Sequence, residues 1–536
     1  MVDVLITGGS VIDGAGQKAF TGDIAVKDGK IIAVAPKLSL EAARVIDAAG
    51  LTAIPGLIDP HVHEEYVCLL DGGMELFLRQ GVTTCLNGNC GHAIFNAPTR
   101  QAVEYYWHNG LFSDAQRERY AGRFPEWTDF DGYARYFERC GCNMNMASLQ
   151  GHGTIRWSVM GGALDRRPTP EEKSQIDAIL RRNMEQGAWG VSFGLTYVPS
   201  RYADTDELCD VVDVIAEYDG VAAAHLRHYI GIKACTDEFI EVGRRTGARV
   251  QLSHLTPTCV EAFEAIRAAG DAGMRIAVDT IPRSTGHLTR KDRMIQFIVA
   301  VSDTLFSRGE AGVKAALASP EGRAMVLRDA YMFPKDRSKL FIVSSDVPEY
   351  ENRSVADIAA SLHVDPDALL CDLLADDRMY TFYLGGTARA DFPNRPHDAR
   401  IMQNPYVCVG SDELMGDPED MGGWYELQRR GAMPIFYQMY RTAGISAEEI
   451  VRRNTSMIAD HLGIPQRGRI AVGNWADIAI LDLEAYRYPD PETIDYRNPH
   501  TMATGVHTVL VNGAVTLDGG ALLRPYAGKL LRHGRC

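Results

Sequence analysis

The chain has 536 residues, 46% hydrophobic and 23% charged, ordinary values for a soluble globular protein with a large core. Its formal net charge of −15 argues against a general binder of nucleic acid or of anionic membrane, which needs a basic surface. The start, Met1 to Thr7, lacks the basic region and long apolar core of a secretion signal, and no uncharged apolar run approaches the ~20 residues of a membrane span. The 11 cysteines are scattered without framework spacing, so reduced thiols and a cytoplasmic location are expected.

Residues 1–56 read as short strands and turns. Val2 to Ile6 is apolar, Gly8-Gly9 turns, and Asp23 to Val26 leads into an Asp28-Gly29 hairpin signal. Ile31 to Val34 then resumes the strand pattern. The far end mirrors this, with Ala476 to Leu481 and then His507 to Gly513 entering another hairpin. The two ends therefore predict one small β-sandwich domain from residues 1–56 and 468–536.

Between them, residues 57–467 alternate short apolar runs with amphipathic stretches. Expected strands include Thr83 to Leu86, Asn145 to Leu149, Gly190 to Phe193, Val221 to Ala224, Arg249 to Leu252, Arg275 to Val278 and Tyr406 to Val409. Strand and helix alternating about eight times predict an α/β fold, a (β/α)8 TIM-like barrel. An open doubly wound sheet is the alternative, but no Gly-x-Gly-x-x-Gly turn follows an early strand. The interval of about 285–350 exceeds one crossover helix and reads as an insertion in the barrel.

Working residues of a barrel enzyme sit at the C-terminal ends of its strands. Here the first apolar run ends in His61 and His63, one residue apart and so on the same side of a strand. The second ends in the turn that carries Cys90, the fifth in His225, the sixth in Ser253-His254 and the last in Ser411-Asp412. Singly, each has a bland reading as a small or hydrogen-bonded core residue. Together, imidazoles, a thiolate and a carboxylate converging from different strand ends are the donor set that zinc prefers.

The motifs Pro-Gly-Leu-Ile-Asp-Pro-His-Val-His at 55–63, Gly-Asn-Cys-Gly at 88–91 and Gly-His-Gly at 151–153 recur in a known order. So do Gly-Leu-Thr-Tyr-Val-Pro-Ser-Arg-Tyr-Ala at 194–203, His-Leu-Arg at 225–227, Ser-His-Leu at 253–255, Gly-Ser-Asp at 410–412 and Gly-Asn-Trp-Ala-Asp-Ile at 473–478. In these the chain resembles the amidohydrolase superfamily, specifically its D-aminoacylase (N-acyl-D-amino-acid deacylase) branch. The resemblance implies a zinc enzyme in which Cys90 takes the bridging role that a carboxylated lysine has elsewhere. Cys90, His225 and His254 would hold a tight zinc, His61 and His63 would complete a second site, weaker or empty, and Asp412 would be the catalytic acid–base group. The fourth strand, Trp189 to Leu195, has no lysine.

The same resemblance implies a small-molecule amide substrate; the acidic balance predicts no nucleic-acid or membrane partner, and a homo-oligomer is left open. The family's substrate-carboxylate residues are replaced: its sixth-strand lysine is Thr256, and Asp279 is followed by Thr280-Ile281-Pro282-Arg283. The glycine after the eighth-strand aspartate is Glu413. Tyr197, Arg227 and Arg283 are the candidates for substrate contact, Arg227 because it would face the same way as His225 if the strand ran on. The expected reaction is zinc-dependent hydrolysis of a linear amide, with a cyclic amide, hydantoin-like ring or carbamate as the alternative substrate. A non-catalytic scaffold is disfavoured because every donor is present.

Overall fold

The apolar runs between residues 57 and 409 become parallel strands that close on themselves. In the computed structural model, which describes residues 1–112, 114–162, 164–282, 287–291, 309–329, 334–384, 397–414, 429–489 and 501–535, the first strand is Leu57–Asp59. It pairs with Val82–Asn87, and that with a third strand formed by Asn145–Ser148 and Gln150–Gly151. Gly190–Gly194, Val221–His225, Arg249–Leu252, Ile276–Thr280 and Val407–Val409 follow in order, each parallel to the one before. Closure comes from the Asp412 N–H, which donates to His61 O at 2.9 Å, and from the pairing of Glu413 with Val62. The chain is a (β/α)8 barrel.

Residues alternate across these strands as the pleat requires. Along Val221–His225, Val221 and Ala223 join one buried cluster with Ile58, Leu86, Ala147 and Ala277, whereas Ala222 and Ala224 join the layer shared with the helices. His225 continues the first of these two series. The helices carry local start and stop signals. Pro170–Gln186 opens with a capping box, in which Thr169 and Glu172 satisfy each other's backbone N–H, and stops at Gly187, whose φ of 110° only glycine adopts without strain. Among the described residues no helix is long and apolar enough to cross a membrane.

The two ends of the chain meet in one mixed sheet of nine strands among the described residues, drawn from Val2–Pro55 and Ile478–Leu522. Thr52–Pro55 runs against Ile478–Leu481 and leads into the first barrel strand. A buried ion pair ties this sheet to the barrel: Arg467 donates to Asp477, which also accepts from Asn145 Nδ2 (3.2 Å) and the Asn512 N–H (2.7 Å). Asn145 belongs to the third barrel strand. Arg467→Met leaves the Asp477 carboxylate buried without its cation, so a loss of about 3–5 kcal/mol is expected in denaturant unfolding. An unchanged midpoint would show that the pair holds nothing together.

The insertion is larger than the interval of about 285–350 suggests. His287–Arg290 pairs with Tyr380–Leu384, which pairs with Leu340–Ser345, and Arg353–Ser354 adds the edge. The closing strand thus lies beyond residue 350. Helices such as Val355–Leu362 and Pro366–Ala375 cover this antiparallel sheet, and Leu340, Ile342, Ile358, Leu370 and Phe382 form a core of its own. Charge and periodicity mark where an insertion starts more readily than where its last strand returns, because antiparallel partners can be far apart in sequence.

Candidate metal centre

The strand ends aim their side chains into one point above the barrel. Cys90 Sγ lies 3.4 Å from His61 Nε2, 3.3 Å from His254 Nε2 and 3.8 Å from His225 Nδ1. Asp412 Oδ1 lies 3.4 Å from His61 Nε2 and 3.3 Å from His63 Nε2. Two donor groups result, His61–His63–Cys90–Asp412 and Cys90–His225–His254, each with its ligand atoms within 4.8 Å of one another. Cys90 belongs to both.

These residues fit zinc on their chemistry and on their backbone. Sulfur, imidazole nitrogen and carboxylate oxygen are its customary donors. Cys90, His254 and Asp412 also hold φ at 52°, 35° and 52°, a left-handed region that non-glycine residues enter at a cost of about 1–3 kcal/mol each. Three such positions in one cluster show a backbone bent to aim side chains. Gly410 makes room for them: a Cβ there would sit 2.8 Å from both Asp279 Oδ2 and the His61 Cβ.

Electrostatics prepare the donors. Burial pushes the Cys90 thiol up to about 11, against the pull of His61, so a cation must displace its proton. Burial holds His225 and His254 well below the ordinary histidine range and therefore neutral, the form that ligates. Burial acts the same way on His61, but the Cys90 and Asp279 charges outweigh it and raise that imidazole.

A second layer orients the first. Asp279 Oδ2 accepts the His254 N–H at 2.7 Å and lies 3.4 Å from His61 Nδ1, while its Oδ1 accepts from Gln251 Nε2 at 2.8 Å. A carboxylate on Nδ1 leaves His61 Nε2 facing Cys90, as ligating histidines require. Asp59 Oδ1 accepts the His61 and Ser411 N–H groups, both at 3.1 Å, which joins the first and last strands; burial raises its carboxyl to about 7. Glu65, also raised to about 7 by burial, accepts the Gly88 N–H at 2.6 Å and anchors the loop before Cys90.

The structure thus brings together His61, His63, Cys90, His225, His254 and Asp412. Tyr197 joins them, its ring 4.9 Å from that of His225. Arg227 does not. The strand ends at His225 and turns into a short helix at His228–Ile230, so the guanidinium swings to Glu238 (3.1 Å) and the carbonyls of Arg201 and Ala203. In these contacts it braces the loop that carries Arg201 and Ala203. Arg283 lies outside the described residues. Sequence reasoning missed Asp59 and Asp279 as supporting carboxylates, and His92, buried two residues beyond Cys90. For Asp59 a sign was available, since a carboxylate two residues before a ligand histidine can catch its backbone N–H.

Comparison with known proteins agrees with this geometry. The profile described as "Amidohydrolase family" matches residues 44–293. The chain is 28% identical to an N-acyl-D-aspartate deacylase of Alcaligenes xylosoxydans xylosoxydans, over 99% of this chain and 95% of that one. It is 25% identical to a D-aminoacylase of the same organism, over 99% and 97%. The crystal structure of the N-acyl-D-glutamate deacylase of Bordetella bronchiseptica, complexed with zinc and a phosphonate inhibitor, superposes with a TM-score of 0.72 at 25% identity, covering 99% of each chain. Residues 44–293 thus match the amidohydrolase family model, and over nearly its whole length the chain is similar to D-aminoacylases and N-acyl-D-amino-acid deacylases.

Proposed function

We propose that the protein hydrolyses the amide bond of an N-acyl amino acid, of D configuration by likeness to its relatives, or of a closely related linear amide. The observation that carries this reading is the pair of donor groups sharing Cys90, one of which contains Asp412, on the barrel's C-terminal face. Zinc held there by these residues would supply a Lewis acid for the scissile carbonyl and would make a water ionisable near neutral pH.

The protein's own residues supply the rest. Asp412 faces the site from the last strand, close enough to His61 and His63 to accept the proton of the attacking water. It then returns that proton to the departing nitrogen, which an amide requires because an amide anion leaves poorly. Asp279 stands 3.4 Å from His61 Nδ1 and fixes the His254 backbone. Tyr197, against His225, borders the space where the substrate sits.

The test is a panel of N-acyl-D- and N-acyl-L-amino acids alongside hydantoins and dihydropyrimidines, assayed with zinc and after its removal by chelation. Zinc-dependent turnover of the N-acyl-D members is the expected result. Turnover of rings alone would overturn the reading.

A further inference from the structure

His92 stands in the site with no role in the chemistry above. It is 1% exposed, and neither ring nitrogen has a hydrogen-bond partner among the described residues. Neither belongs to the two metal-donor groups. Its ring lies 5.9 Å from that of His63 and 5.0 Å from that of Tyr197, which itself meets the His225 ring edge-on. The imidazole is therefore set between His63, of one donor group, and Tyr197, which borders His225 of the other.

The loop around it is fixed. The His92 N–H donates to Asn89 O (2.9 Å), the Gly91 N–H to Ser192 Oγ (2.9 Å) and the Ala93 N–H to Thr154 Oγ1 (3.2 Å). Behind the ring stand Tyr105 and Tyr106, at 5.4 and 5.7 Å, and the Tyr105 hydroxyl is turned to Gly91 O. Buried polar groups are nearly always paired, so a rigid imidazole without a partner among the described residues, beside these donors, calls for one.

We propose that His92 is a substrate-contacting specificity residue, whose imidazole hydrogen-bonds a polar atom of the bound N-acyl amino acid close to the scissile amide. This rests on the deacylase reading. A site built to pair such an atom rejects the analogue lacking it, because the imidazole would then stay unsatisfied.

The experiment compares wild type, His92→Leu and His92→Asn on same-size substrate pairs differing in one polar group. N-acetyl asparagine against N-acetyl leucine, N-acetyl threonine against N-acetyl valine, and N-glycoloyl against N-propionyl derivatives of one amino acid serve, with zinc content measured throughout. Wild type is expected to favour the polar member of at least one pair by about 10- to 100-fold in kcat/KM. His92→Leu should level that ratio with zinc unchanged, and His92→Asn should restore part of it. If an active wild type keeps every ratio in His92→Leu, including the case where only Tm falls, His92 is structural and the proposal fails alone. A wild type that hydrolyses no member of the panel overturns the deacylase reading and takes the proposal with it.

Discussion

Cys90→Ala is expected to strip the site of zinc and to abolish turnover. Every other donor belongs to one of the two groups, whereas Cys90 belongs to both, so its loss reduces each of them at once. Substituting residues that merely support ligands costs 10–100-fold in metal affinity, and losing a direct, shared sulfur should cost more than about 100-fold. Elemental analysis after desalting should find well under one zinc per chain, and kcat should fall by more than about 10³-fold, the scale of losing a metal's charge stabilisation. Cys90→Ser keeps the shape but offers a hydroxyl that ionises far less readily than a thiol, so it should resemble the alanine variant. His63→Ala makes the contrast, because it touches only the group containing Asp412. Retention of zinc and activity by Cys90→Ala would remove the bridging assignment.

Asp412→Asn should separate metal binding from catalysis. The variant is nearly isosteric, and the Cys90–His225–His254 group does not include Asp412, so that set of donors stays whole. What disappears is the proton relay, and kcat should fall by about 10²–10⁴-fold, the usual contribution of one acid–base group. The loss should be smaller for substrates whose leaving group needs no proton, such as an activated ester of the same acyl part. Equal losses on ester and amide, or near-normal amide turnover, would place the relay elsewhere.

Much of the site was legible before any fold was known, for a physical reason. In a parallel barrel the reacting residues come from strand ends, so a donor directly after a buried apolar run carries positional meaning. His61, His63, Cys90, His225, His254 and Asp412 each follow such a run, and each strand is short enough that its end is plain. His225 continues the inward series of Val221 and Ala223, a periodicity of two that the letters already contain.

Other features depended on contacts between residues far apart in the chain. Asp279 supports His61 and His254 only because the seventh strand lies between the sixth and the eighth and the barrel closes next to the first. Arg227 would face the site if its strand ran on, but the backbone turns after His225 and Glu238 claims the guanidinium. Nothing local announces that turn. The insertion ends where Tyr380–Leu384 finds antiparallel partners, a matter of pairing and not of composition.

The sequence by itself determined the fold class, the donor types and the strand ends that present them, because periodicity and residue chemistry are local properties. Only the tertiary structure decided that Cys90 belongs to both groups, that Asp279 holds His61 from behind, and that His92 is buried beside them with no partner for its nitrogens among the described residues. Those facts are distances across the barrel mouth. They exist only once eight strands have closed and set their ends within a few ångströms of one another.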